Sequence, residues 1–215
     1  MDPTCIKDFV SWLKEVFGGL DVLVNNAAVS FNDINENSVE HAETTIKTNY
    51  YGPKLLTESL LPLFRRSDSV SRILNISSRL GLLNKLSNPI IREILEDEER
   101  LTEERIDFVV NRFLEDVKSG VWAEEGWPKV WTDYAVSKVG LNAYTRVLAK
   151  RYDGHGLSVN CFCPGFTQTS MTRGKGNHSA EAAAEIAADI ILLSPDNLPT
   201  GKFYINYKAF LYSNL

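Results

Sequence analysis

The sequence has only three cysteines and three histidines in 215 residues. An odd, unevenly spaced set of thiols gives no disulfide framework. A metal centre would need more ligands of these types than the chain supplies. Cys161 and Cys163 alternate along a strand-like run, "SVNCFCPG", and read as buried thiols on one face. No apolar stretch approaches the ~20 residues of a membrane span. The opening, Met1 to Trp12, has neither a cationic segment nor an apolar one, so no secretory signal is expected there. A surplus of cations is missing too. Lys and Arg number 23 against 28 Asp and Glu, leaving a net charge of −5. That balance argues against a nucleic-acid surface, which is normally basic. No repeat or low-complexity tract is visible. A reducing, cytoplasmic setting and no membrane partner are the resulting expectations.

What is present is ordinary in amount and informative in order. Apolar residues make up 44% and charged residues 24%, as in a soluble globular domain. The length suits one domain with a real core. Ile6, Phe9, Val10, Leu13, Val16 and Phe17 recur at helical spacing before Gly18-Gly19, which predicts a helix over Thr4 to Phe17. "LDVLVNNAA" reads as a strand buried on both faces. Ser38 to Phe64 reads as one long helix with a bend at Gly52-Pro53. "RILNIS" (Arg72 to Ser77), "GLSVNCFCPG" and "GKFYIN" supply three more strands. Trp131 to Tyr152 and Ser179 to Leu193 supply the intervening helices. Strands alternating with helices predict a parallel α/β sheet with right-handed crossovers. One segment breaks the alternation. Residues 88–118 are densely charged, yet Ile91, Ile94, Leu95, Leu101, Ile106, Val109, Val110, Phe113 and Val117 give them an apolar face. Two amphipathic helices lying over the domain are expected, with the charges as a solvated face.

The chemistry centres on "YAVSK". Tyr134 and Lys138 stand four residues apart, so a helix projects them from one face, one turn apart. A phenol ordinarily ionises near pH 10, and a neighbouring ammonium favours its ionised form. The pair could therefore serve as a general acid or base. Taken singly, Tyr-x-x-x-Lys, Asn-Asn, Ile-Ser-Ser and Pro-Gly are each commonplace. Their order is not: strand-"NNAA", then Asn49 in a helix, strand-"NISSRLG", "YAVSK" opening a helix, and strand-"CPGFTQT". In a parallel sheet the carboxyl ends of the strands share one edge, where ligands bind. The fold would thus gather Asn25, Asn26, Ser77, Ser78, Pro164 and Gly165 beside Tyr134 and Lys138.

These motifs closely resemble the short-chain dehydrogenase/reductase family, which are Rossmann-fold NAD(P)-dependent oxidoreductases, over nearly the whole chain. The long segment between Ser78 and Tyr134 resembles the branch of monomeric carbonyl reductases and plant neomenthol and salutaridine reductases. The resemblance implies an NADP(H)-dependent carbonyl reductase or secondary alcohol dehydrogenase, monomeric, acting on a small apolar ketone or alcohol such as a terpenoid or alkaloid. Tyr134 matches the acid/base that protonates the carbonyl oxygen. Lys138 matches the lysine that binds the nicotinamide ribose and lowers the tyrosine pKa. Ser78, rather than Ser77, matches the serine that binds the substrate oxygen. Asn49 matches the helix asparagine that holds a relay water, and Asn26 the strand-end asparagine near the cofactor ribose. Pro164, Gly165 and Phe166 match the turn that meets the nicotinamide, and Thr167 or Thr169 the hydroxyl near its carboxamide and phosphates. Trp122, Trp127 and Trp131, with Phe166 and Met171, either line an apolar substrate pocket or simply pack.

The family pattern opens with strand, Thr-Gly-x-x-x-Gly-x-Gly and helix, whose glycines admit the pyrophosphate. No such motif occurs in this sequence. The expectation is therefore a single, partial Rossmann domain over 1–215, lacking the first βαβ units and carrying a helical insertion at 88–118. The strand beginning at Leu20 would then form an exposed apolar edge. An alternative is a catalytically impaired remnant acting as a non-enzymatic binding module. A nucleotide-sugar epimerase fits less well, because such enzymes carry a larger C-terminal substrate domain.

Overall fold

A computed structural model of the chain describes residues 2–31, 38–66, 70–195, 198–205 and 208–211. Four strands run parallel in sequence order: β1 (Val22–Asn25), β2 (Ser71–Ile76), β3 (Leu157–Cys163) and β4 (Lys202–Ile205). A fifth, β5 (Lys208–Leu211), pairs antiparallel with β4 at the far edge. The sequence reading did not contain β5. The register sets Asn25 beside Asn75 and Asn75 beside Cys161. The carboxyl ends of the central strands therefore finish level, as the reading of one shared edge requires.

Local signals place the helices. In α1 (Pro3–Phe17) the Asp2 carboxylate accepts from the Thr4 N–H, Pro3 occupies the first turn, and Gly18 closes the helix at φ 71°. These are standard start and stop devices. The expected long helix is instead α2 (Val39–Ile46), a π-helical turn over Lys47–Tyr51, and α3 (Gly52–Leu60). Pro53 has no N–H to donate to the carbonyl of Asn49 four residues back, so the α-helical ladder is broken there. Next come α4 (Pro89–Glu96), α5 (Glu103–Lys118), α6 (Thr132–Arg151) and α7 (Ala180–Ile191). Helices cover both faces. α7 closes one over Leu74, Phe162, Ile190 and Tyr204, and α6 the other.

α6 is the hub. Fifteen of its 20 residues are buried, which explains its lack of an amphipathic stripe. It packs on the sheet, on α2 and its π-helical turn, and on α5. Of the nine apolar residues that define the face of segment 88–118, all are buried except Ile94, which is partly so. The charges there are not merely solvated, a correction to the sequence reading. Asp107 accepts from the Tyr50 hydroxyl at 2.6 Å and pairs with Lys54 at 2.7 Å. Glu103 pairs with both Lys54 and Arg151. Asp116 accepts from Arg112 and from the indole N–H of Trp127, each at 2.9 Å. The Asp107 and Glu103 contacts fasten α5 to α3, α6 and the π-helical turn, and Asp116 ties α5 to the segment carrying Trp127.

β1 corrects a second expectation. It is not buried on both faces; Val22 and Val24 remain 37% and 41% exposed at the open edge. Leu23 turns inward to the core shared with α6. α1 buries none of its residues and leaves Phe9, Trp12, Val16 and Phe17 exposed. The exposed edge inferred from the sequence is thus present. An apolar edge strand templates pairing with other chains. Val24→Lys is therefore predicted to raise the monomeric fraction seen by sedimentation velocity at micromolar concentration. An unchanged profile would show that this edge does not drive association.

Candidate active site

Three strand ends and the first turns of α6 enclose one cavity of about 400 Å³. It is lined by Asn26, Ser78, Tyr134, Lys138, Pro164, Gly165, Phe166, Thr167 and Thr169. Of the residues matched to the family's site, Asn49 stands outside it, as do Asn25, Trp122 and Trp127 among the other candidates. Ala27, Ala28, Ile76, Ser77, Trp131, Ser170, Met171 and Thr172 complete the lining. Ala27 and Ala28 adjoin Asn26 in "NNAA", and that adjacency was the available signal. Ser170 and Thr172 sit in a loop whose fold no local pattern announced.

Each central side chain is placed by a specific contact. Ser78 follows β2 in extended backbone; its hydroxyl accepts from the Leu80 N–H at 3.1 Å, and it lines the same cavity as Tyr134. Ser77 donates to Asn142 at 2.5 Å. Its hydroxyl is spent on α6, which fits Ser78 as the reactive-side serine. Lys138 is buried, and its ammonium donates to the carbonyl of Ile76 at 2.8 Å. The same nitrogen lies 5.4 Å from the centroid of the Tyr134 ring. Gly81 makes this possible. A Cβ at Gly81 would lie 2.5 Å from the Lys138 backbone carbonyl carbon, so only glycine lets the loop after Ser78 press against α6.

Burial governs the electrostatics. It pushes the Tyr134 phenol well above the ordinary tyrosine range; nearby Cys163 adds to this and the Ser78 hydroxyl works against it. The direction is opposite to the one expected from the Tyr-Lys spacing. Burial also pushes Lys138 down to about 8, with Cys161 and Cys163 acting upward. Desolvation disfavours both charged forms and here outweighs their mutual influence. The arrangement presents a neutral phenol and a serine hydroxyl at one point. That pair can donate hydrogen bonds to a single oxygen and hand it a proton.

Asn49 is fully buried one layer back. Its amide accepts from the Val29 N–H at 2.8 Å and donates to the Val29 carbonyl at 2.8 Å and to Ser137 at 3.1 Å. It ties the loop after β1 to α6. Asn25 likewise looks inward, donating to Asn75 at 2.7 Å. The tryptophans divide. Trp127 is buried edge-on to Phe113 and Trp122 packs on the same core. Trp131 lines the cavity with Phe166 and Met171. Trp131 has φ 49° and ψ 56°, a left-handed conformation that costs an ordinary residue about 1–2 kcal/mol. Its ring stands edge-on to Tyr134 at 6.4 Å.

The fold is that of the short-chain dehydrogenases. The short chain dehydrogenase model matches residues 1–89. A second model, described as enoyl-(acyl carrier protein) reductase, matches residues 118–195. Salutaridine reductase of Papaver bracteatum is 42% identical over 94% of this chain and 74% of its own length. (+)-Neomenthol dehydrogenase of Arabidopsis thaliana is 40% identical, again over 94% and 74%. The solved structure of salutaridine reductase from Papaver somniferum superposes with a TM-score of 0.85 at 40% identity, covering 95% of this chain and 79% of that one. The chain belongs to the short-chain dehydrogenase/reductase family. It spans about three quarters of the length of these relatives.

The Gly81 contact yields a direct test. Gly81→Ala must displace Lys138, a backbone clash that no rotamer relieves. We expect it to lower thermal stability and to reduce turnover more than the loss of stability explains. An alanine variant with parental melting temperature and activity would contradict the close approach.

Proposed function

We propose that this chain reduces a small apolar ketone, or oxidises the matching secondary alcohol, with NADP(H). The observation that carries the reading is the convergence of the Tyr134 and Ser78 hydroxyls beside buried Lys138 in one cavity. Relatives with carbonyl-reducing names support the reaction class; one, carbonyl reductase [NADPH] 1 of Mus musculus, is 36% identical over 97% of the chain. That name also supports NADP(H) over NAD(H). The residues present suit the nicotinamide half of such a cofactor. An ammonium has three N–H donors, and the Ile76 carbonyl takes one of those on Lys138. Asn26 and the turn from Pro164 to Thr169 line the same wall.

The cofactor supplies hydride. The protein's residues do the rest. Ser78 and Tyr134 hold the substrate oxygen and aim donors at the negative charge that develops there. Tyr134 then gives that oxygen its proton. Lys138 orients the ribose and, when protonated, favours electron density on the phenol oxygen. Asn49, through Val29 and Ser137, positions the loop that carries Asn26, Ala27 and Ala28. In this reading it is a positioning residue. Trp131, Phe166 and Met171 exclude water and fit a cyclic, apolar skeleton of terpenoid or alkaloid type. Helix α5 packs on α6 and α2, which disfavours association through that face and leaves the β1 edge as the surface open to it. Three free thiols, two of them buried, fit a reducing cytoplasm. The intact polar set speaks against a purely non-enzymatic remnant.

Tyr134→Phe removes the proton donor while keeping the ring. It is predicted to lower kcat about 100-fold or more, as loss of a general acid does, and to leave NADPH titration unchanged. Near-normal turnover would remove Tyr134 from the mechanism. The Lys138 ammonium is present below about pH 8 and lost above it. Accordingly kcat/KM for reduction should decline as pH rises through that point. A profile flat across it would mean that the lysine charge plays no part.

A further inference from the structure

The turn that closes the cavity beyond β3 is held by a residue that no motif announces. Pro164, Gly165 and Phe166 leave β3, with Gly165 at φ 78°. His178, 14 positions after Pro164, folds back onto this turn. Its Nε2 hydrogen-bonds the carbonyl of Pro164 and stands 3.2 Å from the hydroxyl of Thr167. A backbone carbonyl only accepts, so Nε2 carries the hydrogen in this contact. The backbones join as well. The Gln168 N–H donates to the His178 carbonyl at 2.9 Å, and the Asn177 N–H to the Phe166 carbonyl at 2.6 Å. The fit at Gly165 is tight: a Cβ there would lie 2.8 Å from His178 Cε1. The imidazole therefore fills the space that a side chain at Gly165 would claim.

We propose that His178 is a positioning residue of the reaction. Through its Nε2 hydrogen it fixes the carbonyl of Pro164, to which the Thr167 hydroxyl also donates at 3.2 Å, and so holds the cavity wall from Pro164 to Thr167 in the conformation that receives the nicotinamide end of the cofactor. The inference rests on the functional reading above and adds a residue outside the cavity lining. The physical reason is preorganisation. A positive-φ glycine allows the turn many conformations. A donor to the Pro164 carbonyl selects one of them before the cofactor arrives, which lowers the ordering cost of binding.

The test compares His178→Leu with His178→Gln in the full chain. Leucine fills space without a donor, whereas the glutamine amide can again donate near the position of Nε2. Loss of one hydrogen bond worth about 1–1.5 kcal/mol predicts an effect of about tenfold. In His178→Leu, amide hydrogen exchange from Phe166 to Thr169 should speed up about tenfold. The NADPH KM should rise by about the same factor, with kcat changed less than about threefold. His178→Gln should restore both most of the way. Parental exchange in the leucine variant would overturn the proposal. So would faster exchange with an unchanged cofactor KM, or leucine and glutamine variants that behave alike. A parent chain that reduces no ketone with NADPH would instead fail the functional reading, while the exchange comparison would still decide whether His178 holds the turn.

Discussion

The burial of one cation organises this molecule. Lys138 has its charged end inside the protein, held by a single backbone carbonyl at the end of β2. Removing an ammonium from water costs several kcal/mol even after relaxation. The fold tolerates this because α6 is fixed independently along its length. Gly140 lies close against the Tyr50 ring, Gly81 against the Lys138 backbone, and Ala143, Tyr144 and Leu148 sit in the main core. With the helix fixed, its first turn cannot withdraw, and Tyr134 is brought to Ser78. Sequence, packing and site chemistry thus meet at a glycine that admits no side chain and a lysine that cannot reach solvent.

The electrostatic consequence differs from the usual argument about adjacent charges. Tyrosine and lysine four residues apart invite the conclusion that the ammonium makes the phenol acidic. In this protein desolvation dominates both groups, raising one and lowering the other. Their ordinary gap is small, since the two ionise within about half a unit of each other in water. Burial moves them in opposite directions and leaves a firmly protonated phenol beside a readily deprotonated amine. That polarity suits a phenol acting as proton donor in carbonyl reduction. In the proposed reaction the phenol would keep its hydrogen until an oxygen gathering negative charge arrives.

Much of this was legible in the chain. Strand-ending polar residues could be assigned to one rim because parallel strands force it, and Asn26, Ser78, Pro164 and Thr167 all lie there. α1 announced itself through the helical spacing of its apolar residues from Ile6 to Phe17 and through Gly18-Gly19, while its Asp2 cap and Pro3 start emerged only in the structure. Three things were not legible in local pattern alone. The residues of β1 by themselves read as a fully buried strand because they are apolar; its place at an edge followed from the resemblance to the family pattern, not from its own pattern. The π-helical turn at Asn49 arises from a proline whose effect falls four residues earlier. The roles of Glu103, Asp107 and Asp116 depend on partners 11 to 57 positions away, such as Trp127 and Tyr50, so the same carboxylates look like solvated surface in the sequence. His178 was equally hidden, since its partners are main-chain atoms and one hydroxyl 11 positions away, which no local pattern encodes.

The central claim is that burial, not the adjacent lysine, sets the protonation of the Tyr134 phenol. Carbon-13 NMR of tyrosine labelled at Cζ, with Tyr134 assigned through Tyr134→Phe, reads that protonation directly against pH. The account predicts that the Tyr134 resonance keeps its neutral-phenol shift at and beyond pH 10, about where free tyrosine is half ionised. A resonance that moves to the phenolate position below about pH 8 would contradict it, because the lysine charge would then outweigh desolvation.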